Sequence, residues 1–208
     1  MGKKRALVID DEQLVLDSVS KILTAENYEV EVSLSGREGL DRALKRYYDI
    51  VLTDIRMPDI WGMRILRDIK RAKPSLPVVI ITGYATVKSA VQAIKLVAAD
   101  YLEKPFTPEQ LIKAVASALD IAATQGSEPQ DLIHRDEMIK VLEQVESNDE
   151  FLINLLEYAA DALGEYELTG PEKLAILTGD FEWIEKQIGP LTQSQRRWLV
   201  FLKIQSRS

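Results

Sequence analysis

The chain has 208 residues and a net charge of −7; 46% of its residues are apolar, 28% are charged, and none is cysteine. That length fits one large or two small domains with buried cores, and the missing thiols exclude disulfides, thiolate zinc sites and cysteine nucleophiles. The apolar run behind the basic start stops at Asp10, too short for a signal peptide or a membrane span, so a cytoplasmic protein is expected.

In chain order, Arg5–Ile9 (RALVI) reads as a buried strand ending at Asp10-Asp11. Gln13–Ala25 carries Leu14, Val15, Val19, Ile22 and Leu23 at helical spacing. Tyr28–Ser33 alternates like a strand, and Ser35-Gly-Arg-Glu38 is a capping box that opens a helix to Arg46. Ile50–Thr53 is a strand ending at Asp54, and a loop with Pro58 and Gly62 leads into a helix to about Lys73. Pro77–Ile81 is a strand running into Thr82-Gly83. Thr86–Val97 reads as a fourth helix, and Ala99–Leu102 as a short strand ending at Glu103-Lys104-Pro105. Thr107-Pro-Glu-Gln110 caps a fifth helix to about Ala123.

Five strands alternating with five helices predict an α/β fold, a doubly wound parallel sheet with helices on both faces. Most of the strands are nearly unbroken apolar runs, as expected for strands covered on both sides. Ligands of such sheets bind at the carboxyl ends of the strands. The residues there are Asp10, Asp11, Asp54, Thr82 and Lys104.

Three carboxylates gathered at strand ends repel one another unless a cation lies among them. Mg²⁺ suits a few carboxylates, water and a phosphate oxygen. Lys104 adds a point charge fit for phosphate, and Thr82 a hydroxyl donor. The set predicts attack of a carboxylate on a phosphoryl group while Mg²⁺ and Lys104 spread the charge. With no Gly-rich nucleotide cradle in the sequence, a preactivated donor must supply the phosphoryl group.

Residues 5–122 resemble the receiver domain of two-component response regulators, a flavodoxin-like (βα)5 fold with strand order 2-1-3-4-5. The resemblance runs through Asp10-Asp11, Leu-Thr-Asp54-Ile-Arg-Met57-Pro58, Gly62, Val-Ile-Ile-Thr82-Gly-Tyr and Ala-Asp-Tyr101-Leu-Glu-Lys104-Pro105-Phe. It implies that Asp54 is the phospho-acceptor. Asp11, Asp54 and the backbone carbonyl of Arg56 would bind Mg²⁺, with Asp10 acting mainly through water. Thr82 and Tyr101 would form the switch pair, Lys104 would contact the phosphate, and the Lys104-Pro105 bond would be cis. The implied partners are a sensor histidine kinase or phosphotransfer protein, and a second copy meeting the face of the fourth helix, fifth strand and fifth helix. Val97 stands where the family usually has Gly, and Arg56 and Tyr84 fall at positions that tune phosphoryl lifetime.

Ala123–Gln130 reads as a small, polar linker, so the domains expected are 1–123, a linker at 124–130 and an all-helical output domain at 131–208. Helices are expected over Asp131–Val145 and Glu150–Leu163, behind a Thr169–Glu172 capping box, over Asp180–Gly189 and behind Thr192–Gln195. Residues 1–123 hold 18 basic and 17 acidic side chains, whereas 124–208 hold 8 and 16. A half at −8 repels phosphate backbones, which argues against nucleic acid and for a protein target. His134 is read as an exposed residue of a first helical turn, and Trp183, Trp198 and Phe201 mostly as bundle core. The alternative expectation is an unrecognised DNA-binding bundle.

Overall fold

The computed structural model of the protein describes residues 2–60, 62–83, 98–124, 133–158 and 162–205, which belong to two compact units. In the first, β1 (Arg5–Ile9), β2 (Glu29–Ser33), β3 (Ile50–Thr53), β4 (Val78–Thr82) and β5 (Asp100–Glu103) form one parallel sheet. Its order, β2-β1-β3-β4-β5, is the expected one. The helices described are α1 (Gln13–Ala25), α2 (Gly36–Lys45), α3 (Gly62–Ala72) and α4 (Pro108–Thr124). The fourth helix expected over Thr86–Val97, with Tyr84, lies outside the described residues.

Period-two alternation sorts the strand side chains between two helical layers. Ala6 and Val8 of β1 join Leu16, Val19 and Leu23 of α1 and Leu111, Val115 and Ala118 of α4 in one core. Ile9 faces the other way, so close to α2 that a Cβ on Gly39 would come within 2.6 Å of it. The acidic residues Asp10 and Asp54 follow the carboxyl ends of β1 and β3.

The second unit holds α5 (Arg135–Ser147), α6 (Asp149–Tyr158), α7 (Gly170–Leu177), α8 (Phe181–Ile188) and α9 (Gln193–Gln205). Met138, Val141, Leu142, Leu155, Leu174, Ile176, Ile184, Leu199 and Leu202 are buried. Trp183 is buried as expected, whereas Phe201 stays partly exposed and meets the half-buried Trp198 edge-on at 5.9 Å. Arg196 binds Glu185 at 2.5 Å, and Lys203 lies 4.8 Å from the centre of the Phe181 ring, so these two cations of α9 have partners inside the unit.

His134 differs from expectation. It is half-buried at the N-cap position of α5, and its backbone N–H and Nδ1 meet Glu172 at 2.7 and 3.1 Å. Glu172 is fully buried and also accepts from the Thr169 N–H and hydroxyl at 2.7 and 2.8 Å, closing the predicted capping box. One carboxylate therefore serves two helix starts. Glu172→Ala should destabilise the helical unit by about 3 kcal/mol, because buried donors lose their acceptor. Urea unfolding of the full chain would measure this, and Glu172→Gln, which keeps one acceptor oxygen, should lose less.

Candidate functional site

Four of the five strands deliver one polar residue each where they end. Asp10 follows β1, Asp54 follows β3, Thr82 closes β4, and Lys104 follows β5. Backbone bonds beyond the ladder fix two of these ends: Asp10 N–H donates to the Ser33 carbonyl and Asp54 N–H to the Ile9 carbonyl, at 3.1 and 3.0 Å. Asp10 and Asp54 are 1% and 6% exposed, and Thr82 is fully buried.

Lys104 draws the acids together. Its Nζ lies 2.7 Å from Asp10 Oδ2, 3.1 Å from Asp54 Oδ2 and 3.2 Å from Glu12 Oε1. The remaining oxygens are held by backbone. Asp10 Oδ1 accepts from Glu12 N–H at 2.9 Å, and Asp54 Oδ1 accepts from Ile55 and Arg56 N–H at 2.5 and 3.3 Å. Burial pushes the Asp10 carboxyl above the ordinary aspartate range and outweighs the bonds from Lys104 and Glu12 N–H. Burial also works against the Lys104 ammonium, but the bond to Asp10 and the charges of Asp54 and Asp10 prevail and hold its pKa well above a free lysine's.

Asp10, Glu12 and Asp54 offer carboxylate oxygens within 4.8 Å of one another, a hard donor set that fits a Mg²⁺ ion. Glu12 was not expected there, and Asp11 is exposed and is not among the three. The chain turns at Asp11 between β1 and α1, and Glu12, extended at the N-cap position of α1 (φ −96°, ψ 109°), comes to lie beside Lys104. Glu12 itself carries a faint sequence signal, an acid two positions after the one that ends the strand.

Arg56 is half-buried, and its N–H turns towards the Asp54 carboxylate. Tyr101 sits on β5 opposite Ile80, with its hydroxyl buried and without a hydrogen-bond partner among the described residues. The Lys104-Pro105 bond is cis, and Lys104 N–H donates to the Thr82 carbonyl at 2.8 Å.

The loop after Asp54 is held from two sides. Gly62 N–H donates to the Ile55 carbonyl at 2.7 Å, and a Cβ on Gly62 would fall 1.9 Å from the Asp54 carbonyl oxygen. On the far side Asp59 sits over the first turn of α2, where Ser35, Gly36 and Arg37 donate to its carboxylate.

The family model for the response regulator receiver domain matches residues 6–116. The chain is 37% identical over 113 residues to the response regulator ArlR of Staphylococcus aureus, covering 54% of this chain and 51% of that protein. A CheY-like receiver domain protein of Methanospirillum hungatei superposes with a TM-score of 0.56 and 32% identity, over 60% of this chain and all of the other. A receiver domain protein of Clostridium thermocellum gives 0.53 and 37%, over 56% and 94%. The chain belongs to the response regulator receiver family of two-component systems. It spans about half the length of the curated relatives it matches. No helix among the described residues is long and apolar enough to cross a membrane.

Proposed function

We propose that residues 1–123 are a cytoplasmic phospho-receiver whose acceptor is Asp54, joined by a linker at 124–130 to an output module at 131–208. The observation that carries this reading is the convergence of Lys104 on Asp10 and Asp54 from three separate strand ends. An Asp54 oxygen attacks the phosphorus of a phosphohistidine on a histidine kinase or phosphotransfer protein. The P–N bond breaks, and its electron pair leaves with the imidazole. Water later hydrolyses the acyl phosphate and regenerates the carboxylate. Mg²⁺, when bound, neutralises charge on the transferring group. Asp11, Asp54 and the Arg56 carbonyl would hold it, with Asp10 acting mainly through water and the Glu12 carboxylate close by.

Lys104 pairs with the phosphoryl oxygens, and Thr82 donates its hydroxyl to them. Tyr101 then changes its packing on β5, which alters the surface around β5 and α4, the face on which a second copy would dock. Incubation with acetyl phosphate and Mg²⁺ should add one phosphoryl mass to the wild-type chain and none to Asp54→Ala. Equal labelling of both would sink the assignment.

For the output, the −8 charge of residues 124–208 and the exposed Val200, Phe201 and Ile204 on α9 favour a protein target over DNA. Recovery of a specific DNA fragment with the full chain, weakening steeply as salt rises, would overturn that preference.

A further inference from the structure

We infer that Asp59 is a positioning residue for the metal site, holding the loop that carries the Arg56 carbonyl against the start of α2. The inference rests on the receiver reading above and deepens it. Asp59 lies in a sequence stretch, Met57-Pro-Asp-Ile, in which the residues alone assign it no task.

Among the described residues, its hydrogen bonds beyond its own loop go to three consecutive residues. Oδ2 accepts from the Ser35 hydroxyl at 2.7 Å and from Arg37 N–H at 3.0 Å, and Oδ1 accepts from Gly36 N–H at 3.2 Å. The Asp59 carbonyl accepts from Arg37 Nε at 3.0 Å. N–H groups in the first turn of a helix have no partner within the helix, and the positive end of its dipole favours a carboxylate. Ser35 alone answers only the Glu38 N–H, at 3.2 Å. Asp59 answers the others from a different loop, so the two loops become one piece.

Packing reinforces the join. A Cβ on Gly36 would fall 2.3 Å from Ile60 Cγ2 and 2.8 Å from Met57 Cε, so residues 57–60 lie directly on the bare first turn of α2. Pro58 fixes one φ of the intervening segment. At the other end, Ile55 and Arg56 N–H hold Asp54 Oδ1. The Arg56 carbonyl is therefore suspended between two anchored points, the Asp54 carboxylate and the Asp59 clamp. Removing Asp59 frees one of them.

A control exists at the opposite end of the same helix. Lys73 Nζ donates to the Ala43 and Arg46 carbonyls at 2.8 and 2.6 Å, capping the C-terminus of α2 without touching residues 55–60. Lys73→Ala should therefore cost stability as Asp59→Ala does, yet leave the metal loop in place.

The test is calorimetric titration of MgCl2 into the full-length wild-type, Asp59→Ala, Asp59→Asn and Lys73→Ala proteins, with thermal unfolding in parallel. Asp59→Ala should weaken Mg²⁺ binding about tenfold, the scale of losing a partner that orients a metal ligand. Asp59→Asn, which keeps an acceptor oxygen, should recover most of that loss, and Lys73→Ala should bind like wild type at a lowered melting temperature. Wild-type affinity in Asp59→Ala, or equal weakening in Lys73→Ala, overturns the positioning role alone. Absence of Mg²⁺ binding by the wild-type chain overturns the receiver-site reading and this inference with it. Should Asp59→Ala fail to fold, Asp59→Ser, whose hydroxyl is too short to accept from all three donors, takes its place, and wild-type Mg²⁺ affinity in Asp59→Ser overturns the clamp.

Discussion

Lys104→Met should lower the unfolding free energy by about 3–5 kcal/mol in EDTA, the range for removing one partner of a buried ion pair. Asp10 and Asp54 share this one ammonium, and their side chains are only 2% and 8% exposed. Without it two carboxylates face each other in a nearly dry site. Two further readouts separate this cause from lost packing of the lysine stem. Mg²⁺ should stabilise the variant more than wild type, since the ion then supplies the only counter-charge, and binding stabilises in proportion to RT ln(1 + [L]/Kd). The variant should also regain stability as the pH falls. The Asp10 pKa is already raised by burial, and a carboxyl whose pKa is raised on folding binds more protons in the folded state than in the unfolded one. Its penalty thus grows as pH rises through the folded value and fades below it. Urea unfolding at several pH values would measure this, and equal stability of Lys104→Met and wild type in EDTA would refute it.

Gly62→Ala should be the most damaging single-methyl change in the first unit. The new Cβ would lie 1.9 Å from the Asp54 carbonyl oxygen and 2.7 Å from Ile55 Cα, so backbone rather than a side chain must move. We expect a loss of at least about 3 kcal/mol, at the upper end of ordinary overpacking. Labelling by acetyl phosphate should fall as well, because the backbone displaced is that of the acceptor itself. Gly83→Ala supplies the contrast: among the described residues its Cβ would meet only Lys104 Cβ, at 4.0 Å, and should be tolerated. Similar melting temperatures for the two variants would show that the loop yields more easily than its contacts indicate.

The two glycines also show which parts of the site were legible in the sequence. Asp54 and Lys104 were, because each ends or follows an apolar run whose direction the alternation with helices determines. Asp10 was legible for the same reason. Glu12 was not, since its place beside Lys104 depends on how the chain turns between β1 and α1, and periodicity of apolar residues says nothing about that turn. Asp59 was invisible for a stronger reason. Its partners lie more than 20 residues earlier, and Ser35 already had a sufficient local explanation as a cap. In the helical unit the capping box at Thr169 was legible, but the second use of Glu172 was not, because its other partner, His134, lies 38 residues away.

That shared carboxylate has a mechanical consequence. Described chain enters the helical unit at Ile133 and His134, and its first residues are pinned through Glu172 to the start of α7 rather than left as a fraying helical turn. Tension applied to the chain ahead of residue 133 would not unwind α5 from its end. It would load α5 and α7 at the same instant, so the unit would answer a pull as one solid block.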